Sequence, residues 1–319
     1  MLYKAMGLND YKKNGYLISD QLIHENQINL LRDSLNKEFS FNKKDKYQRR
    51  LIDFRDLDLV KKILSFYTHY SIRNIIDELK KKYNTKVTIL PIFEVHKNYH
   101  VNLKESHGWH RDCGGELKYE YCNNILFSKN YFFAKIGIYL QKNEKYGGSI
   151  DIIKNSHKNF SYYRIILRKI KNIPLRILTF IHKNFNKIYN FLPEKLFMFF
   201  LNAKKLNPKL GSAVFFDSRI IHRGSPIEKN QLKEVKYSTG KYLAELPKNK
   251  DKYSIYCQIG TTESIDSYMY DRLKREGNQK ELQLWVKEIE FISKFNRELS
   301  DEISAVISPI KEKYIKYLS

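Results

Sequence analysis

An all-β core flanked by helices is the fold class the sequence predicts, and three observations predict it. From about residue 85 to 260 the chain passes through repeated segments rich in β-branched and aromatic residues. Before and after that span, apolar residues return every three or four positions, the spacing of amphipathic helices. The 319 residues show no internal repeat and no Gly/Ser linker, so they read as one elaborated domain. Helices cover 1–84, the β core 85–260, and helices again 261–319.

Residues 20–40 read as a helix because Ile28, Leu31 and Leu35 fall on one face behind the start signal Ser19-Asp20-Gln21. A second helical stretch covers 58–83. "KVTILPIFEVHKNYHVNL" from Lys86 then changes the texture to one or two strands, and "YFFAKIGIYLQ" (131–141) adds another. "SIDIIKNS" (149–156), "GSAVFFDSRIIHRGSP" (211–226), "EVKYSTGKYLAEL" and "KYSIYCQIGTT" are further strand-like pieces. The order excludes alternating βαβ units, which would place a helix between successive strands.

One segment breaks the β texture. Residues 160–205 hold ten Lys or Arg and one acid, Glu194, interleaved with Ile, Leu and Phe at roughly helical spacing, and Pro174 and Pro193 divide them. They read as a helical insertion of about those bounds. Two roles stay open: a lid packed on the core, or a basic amphipathic element in peripheral contact with an anionic membrane. No apolar run reaches the roughly 20 residues needed to span a bilayer.

The formal charge of +23 suits an anionic partner, although Lys-rich composition alone accounts for much of it. Nucleic acid is disfavoured, because no recognition helix, zinc finger or aromatic RNA-binding strand is legible. Cys113, Cys122 and Cys257 form no CxxC pair, and the N-terminus lacks a secretory apolar core. Both point to a reducing cytoplasm, with the inner membrane face as a peripheral location.

The chemistry begins at "SHGWHRDCGG" (106–115). On a strand, His110 and Asp112 point to the same face and offer an imidazole nitrogen and a carboxylate oxygen to one ion. His222, after the apolar strand "GSAVFFD", is the best third ligand. Two imidazoles and one carboxylate with open positions suit non-haem Fe(II), whereas zinc more often takes a closed shell. Taken singly, each histidine is as well explained by an ordinary structural role. The combination is what points to metal.

Four stretches, in order, resemble the phytanoyl-CoA dioxygenase family of Fe(II)/2-oxoglutarate oxygenases. They are "YKKNGYLISDQLIHENQINLLRDSL", "HGWHRD", "KIGIYLQKNEKYGGSIDIIKNSHK" and "LNPKLGSAVFFDSRIIHRGSP". The resemblance implies a double-stranded β-helix (jelly roll, cupin-like) and a metal held by His110, Asp112 and His222. Fe(II), O2 and 2-oxoglutarate are the implied cofactors, with succinate and CO2 released as a substrate C–H bond is hydroxylated. Halogenating relatives replace the carboxylate with a small residue, so Asp112 favours oxygenation. The family also places an Arg at the start of the strand after the distal His, to bind the cosubstrate's far carboxylate. No Arg stands there. Lys236 is the first choice, Lys233 the second and Arg223 the third, with Ser225 adding a hydroxyl. The basic segment tilts the expected substrate towards a small anionic, lipid-linked or saccharide-linked molecule. A non-catalytic binding or scaffold protein that keeps the β core is the alternative, prompted by the missing Arg.

Overall fold

Strand β1 (Tyr16–Gln21) follows the short helix α1 (Leu8–Asn14), and helix α2 (Glu25–Phe41) comes next. The computed structural model describes residues 8–41, 48–98, 100–102, 112, 131–141, 150–158, 198–199, 202–225, 234–238, 241–245, 252–276 and 279–318. Ser19-Asp20-Gln21 therefore ends a strand instead of opening a helix. The pairing of Tyr16, Leu17 and Ile18 with Phe216, Phe215 and Val214 satisfies backbone that a helix start would leave open. Ile28, Leu31 and Leu35 are buried on α2, as their spacing predicts.

The stretch read as one helix over 58–83 is two, α3 (Leu57–Tyr67) and α4 (Tyr70–Tyr83). Asp56 caps the first by accepting from the Leu59 amide at 2.9 Å. His69 caps the second, its Nδ1 accepting from the Ser71 amide at 3.3 Å. A side-chain acceptor at residue 69 starts a new helix where the apolar period alone shows continuity.

Seven strands form the larger sheet. At its centre β6 (Phe133–Tyr139) pairs with β9 (Ser212–Asp217) on one side and β13 (Lys252–Thr261) on the other. β1 extends the sheet beyond β9, while β4 (Glu94–Asn98) and then β2 (Gln48–Arg50) extend it beyond β13. β3 (Val87–Ile89) pairs with the C-terminal end of β13. The smaller sheet has the order β10-β7-β8, formed by β10 (His222–Gly224), β7 (Ile150–Ile153) and β8 (Ala203–Leu206). The chain thus alternates between sheets, from β6 to β7 and β8, back to β9, across to β10 and finally to β13. That alternation is a double-stranded β-helix. Ala203–Leu206 corrects the bounds of the basic insertion: its last residues are a core strand, because their backbone pairs with Ile150–Ile153. Residues 159–197 lie outside the described residues.

Alternation along the strands sorts side chains into two cores. Ala134, Ile136, Ile138, Ala213 and Phe215 join the core under the helices. Tyr139, Val214 and Phe216 join Ile150, Ile152 and Leu206 between the two sheets. Gly137 is required on that inner side, since a Cβ there would come within 2.8 Å of the Tyr256 ring. A third sheet, of β11 (Glu234–Ser238), β12 (Lys241–Glu245) and β5 (His100–Asn102), stands apart from both. The segment read as one strand over 234–246 is this β11–β12 hairpin. Three C-terminal helices, α5 (Thr262–Glu276), α6 (Gln279–Ser293) and α7 (Arg297–Leu318), contribute Ile265, Trp285, Ile303 and Ile307 to the helix-side core.

Candidate metal centre

The turn between β9 and β10 carries the site, and it is fixed from several directions. The Asp217 amide donates to Gly15 O at 2.8 Å, and the Ser218 amide donates to Phe133 O at 2.9 Å. The Ile221 amide donates to the Ser156 hydroxyl at 2.8 Å, which gives the "NSHK" motif a structural role. Its neighbour His157 packs on Gly15, whose φ of +80° and close approach exclude a side chain. The His157 Nε2 lies 3.1 Å from Lys12 O and so ties α1 to the same turn. Arg219 holds the Asp217 carboxylate at 2.9 and 2.7 Å, and its guanidinium lies 4.4 Å over the Tyr131 ring. Tyr131 in turn shares a 2.7 Å hydrogen bond with Ser218.

Two of the candidate ligands sit at this turn, one beside it and one on the strand it leads into. Asp112 sits at a bend, its amide donating to Ser218 O at 3.1 Å. His222 is buried at the start of β10, with its ring 4.7 Å from Phe216. The His222 Nδ1 is 3.2 Å from Ile220 O. A carbonyl oxygen only accepts, so Nδ1 is the donor, and Nε2 is the ring nitrogen left for a metal. That Nε2 lies 3.6 Å from Asp112 Oδ2. An imidazole lone pair and a carboxylate oxygen converging at this separation suit a divalent ion. His110 lies outside the described residues, and among the described residues no set of three or more His, Cys, Asp or Glu gathers into a metal site.

Next to the pair stands a lysine that the sequence reading passed over. Lys135 projects from β6 into the barrel, with its Nζ 3.4 Å from Asp112 Oδ2 and 4.9 Å from the centre of the Tyr256 ring. Burial alone would lower its pKa, but Asp112, Tyr256 and Glu94 outweigh burial and raise it. The wall continues through His96, edge-on to Tyr256 at 4.8 Å, to Glu94 at 3.2 Å from His96 Nε2. Burial pushes the Glu94 carboxyl up, yet His96, Lys135 and Arg50 outweigh it and hold it below its ordinary value.

The four candidates for the cosubstrate's far carboxylate fall in different places. Lys233 lies outside the described residues. Lys236 is mid-strand in β11, opposite Leu243, in the separate third sheet, and its side chain lies outside the described residues. Arg223 on β10 and Ser225 just after it both turn to Asp151, away from His222. The Arg223 guanidinium is 2.9 Å from Asp151, and the Ser225 hydroxyl donates to the same carboxylate at 2.6 Å. Both are thus engaged on the outer side of the smaller sheet.

The barrel strand that follows His222 is β13, and it begins with Lys252. Lys252 shares the inward face of Ser254 and Tyr256 and is only 2 % exposed. Among the described residues no carboxylate pairs with its ammonium. Burial, followed by repulsion from Lys205, pushes its pKa down to about 7. A buried cation without an anion is costly, and an anionic ligand would relieve that cost. The signal was present in "KYSIYCQIGTT", but the intervening hairpin drew attention to an earlier strand.

No protein-family model matches the chain, and no curated protein sequence matches it. Among solved structures, AviO1 from Streptomyces viridochromogenes Tue57 is similar over 82% of this chain and 96% of its own, with 9% identity and a TM-score of 0.45. HygX from Streptomyces hygroscopicus, solved with nickel and 2-oxoglutarate bound, is similar over 82% of this chain and 88% of its own, with 12% identity and a TM-score of 0.45. SnoK, a non-heme alpha ketoglutarate dependent carbocyclase from nogalamycin biosynthesis, covers 82% of this chain and 85% of its own at 10% identity and a TM-score of 0.43. These are similarities of fold between chains of almost unrelated sequence.

Proposed function

We propose that the chain is an Fe(II)- and 2-oxoglutarate-dependent oxygenase that hydroxylates a C–H bond of a small anionic, lipid-linked or saccharide-linked substrate. The observation that carries this reading is His222, whose protonated Nδ1 is fixed on Ile220 O and whose Nε2 faces Asp112. His110 is the third ligand in this reading. Bound iron supplies the oxidising chemistry, with O2 and 2-oxoglutarate consumed and succinate and CO2 released.

The chain's own residues supply placement. Asp112 and His222 would hold the ion, His222 from a turn tied by backbone and side-chain hydrogen bonds to Gly15, Phe133 and Ser156. Lys252 takes the cosubstrate's far carboxylate as a point charge, ahead of Lys236 and Lys233. Phe216, Tyr139 and Tyr256 line the inner side and exclude water. The basic segment from residue 160 up to the start of β8 would close over the substrate or rest on an anionic membrane at the cytoplasmic face. Among the described residues no helix is long and apolar enough to cross a membrane.

The test is anaerobic titration with Fe(II) and then 2-oxoglutarate. A weak visible charge-transfer band is expected for the native protein and is lost in Asp112→Ala. A native protein that binds neither ligand and releases no succinate across a metabolite and glycolipid library overturns the proposal in favour of a scaffold. Retention of the protein on vesicles containing acidic lipid at moderate salt supports the membrane role. Failure to be retained removes it and leaves the lid.

A further inference from the structure

We infer that Lys135 is the charge a metal must displace from Asp112, and that it makes uptake of the dication depend on uptake of the anionic cosubstrate. This rests on the proposed function and adds a coupling that the ligand set alone does not contain. Two groups converge on one oxygen atom: Asp112 Oδ2 is 3.4 Å from the Lys135 ammonium and 3.6 Å from His222 Nε2. A dication drawn to that oxygen and that nitrogen meets an ammonium already at contact distance. The surroundings are largely buried, so the repulsion is weakly screened.

The charges decide the outcome. Among the described residues Asp112 and Lys135 form an opposed pair before loading. A dication alone would add two positive charges to the barrel, whereas a dication together with a dianion would add none. The displaced ammonium has places to go on the same wall, over the Tyr256 ring it already faces and towards the Glu94 carboxylate that His96 steadies at 3.2 Å. Metal alone should therefore bind weakly, and metal with cosubstrate should bind well. The linkage is reciprocal, so each ligand raises the other's affinity by the same factor.

Mn(II) uptake, followed by the loss of the free-ion EPR signal under argon, tests this with and without 2-oxoglutarate. In the native protein 2-oxoglutarate is expected to tighten Mn(II) at least about tenfold, the scale of one unit charge at short range in a partly screened site. In Lys135→Met, Mn(II) alone is expected to bind at least about tenfold tighter than in the native protein, with the gain from 2-oxoglutarate correspondingly smaller. Lys135→Arg keeps the native pattern. Native uptake that is insensitive to 2-oxoglutarate overturns the inference without any variant, so it stays testable even if Lys135→Met fails to fold. Unchanged or weaker Mn(II) binding in a folded Lys135→Met also overturns it and leaves Lys135 a structural ion pair. A native protein that takes up no Mn(II) under either condition instead sinks the metal centre itself, and the two failures are told apart by that control.

Discussion

Along β13, the residues facing the helices are Tyr253, Ile255, Cys257 and Ile259, all buried in the larger core. Those facing the barrel are Lys252, Ser254, Tyr256 and Gln258. β6 repeats the contrast, with Ala134, Ile136 and Ile138 outward and Lys135, Gly137 and Tyr139 inward. The same two strands therefore present one face chosen by packing and one that packing alone would not choose. Even the Cys257 thiol follows the rule: burial pushes its pKa well up, which suits filler and not chemistry. Polar residues gathered on an inner wall lower stability unless they serve a ligand, so the inner face identifies the site.

Lys252 should give the largest separation of the two faces. Lys252→Met removes the ammonium proposed for the cosubstrate, and binding is expected to lose about 2–5 kcal/mol, read as the rise in 2-oxoglutarate Kd by anaerobic titration. Stability should move the other way. The folded pKa, about 7, lies below the ordinary value of 10.5. The folded state therefore gives up its proton between those pH values while the unfolded chain keeps it, and stability rises with pH across that window. The burial cost is felt in full below pH 7 and is absent above 10.5. Urea unfolding at pH 6 should show Lys252→Met more stable than native by several kcal/mol, with the gap narrowing by pH 9.5. The same titration makes native 2-oxoglutarate affinity fall as pH rises above 7. A variant that loses stability at pH 6 and keeps its cosubstrate would reverse the assignment of the inner face.

An outer-face change should do the opposite. Ile136→Ala opens a cavity under the helices and should cost about 2–5 kcal/mol in urea unfolding, with Mn(II) and 2-oxoglutarate affinities within about twofold of native. A large affinity loss in the folded variant would show that the two faces are not independent.

The fold was legible because strand texture and helix spacing are local properties. His222 and Asp112 were paired from the sequence on the residue types a facial metal site would need, and the fold sets them 3.6 Å apart. Lys135 was hidden by its context: one lysine in "FAKIGIY" reads as an interruption of an apolar strand until the barrel brings Asp112 beside it. Lys252 was hidden by topology, since a hairpin that pairs with β5 and not with the barrel lies between it and His222. The break at His69 and the strand at Ala203–Leu206 were missed for a related reason. A single capping acceptor and a long-range pairing leave no periodic trace.

The smallest effect is expected where the two faces meet, at the turn that carries His222. Ser156 lies on neither face of β13 or β6, yet its hydroxyl is the acceptor for the buried Ile221 amide, one residue before the ligand. Ser156→Ala leaves that amide without its acceptor and should cost about 1–3 kcal/mol of stability. Because the Ile220 carbonyl that fixes the His222 tautomer belongs to the same turn, metal affinity should fall as well, by a modest factor. Ser156→Thr, which keeps the hydroxyl, should restore both. If Ser156→Ala weakened unfolding stability alone and left Mn(II) uptake at its native value, the turn would be structural scaffolding only. The orientation of His222 would then rest on Phe216 and the β10–β7 pairing.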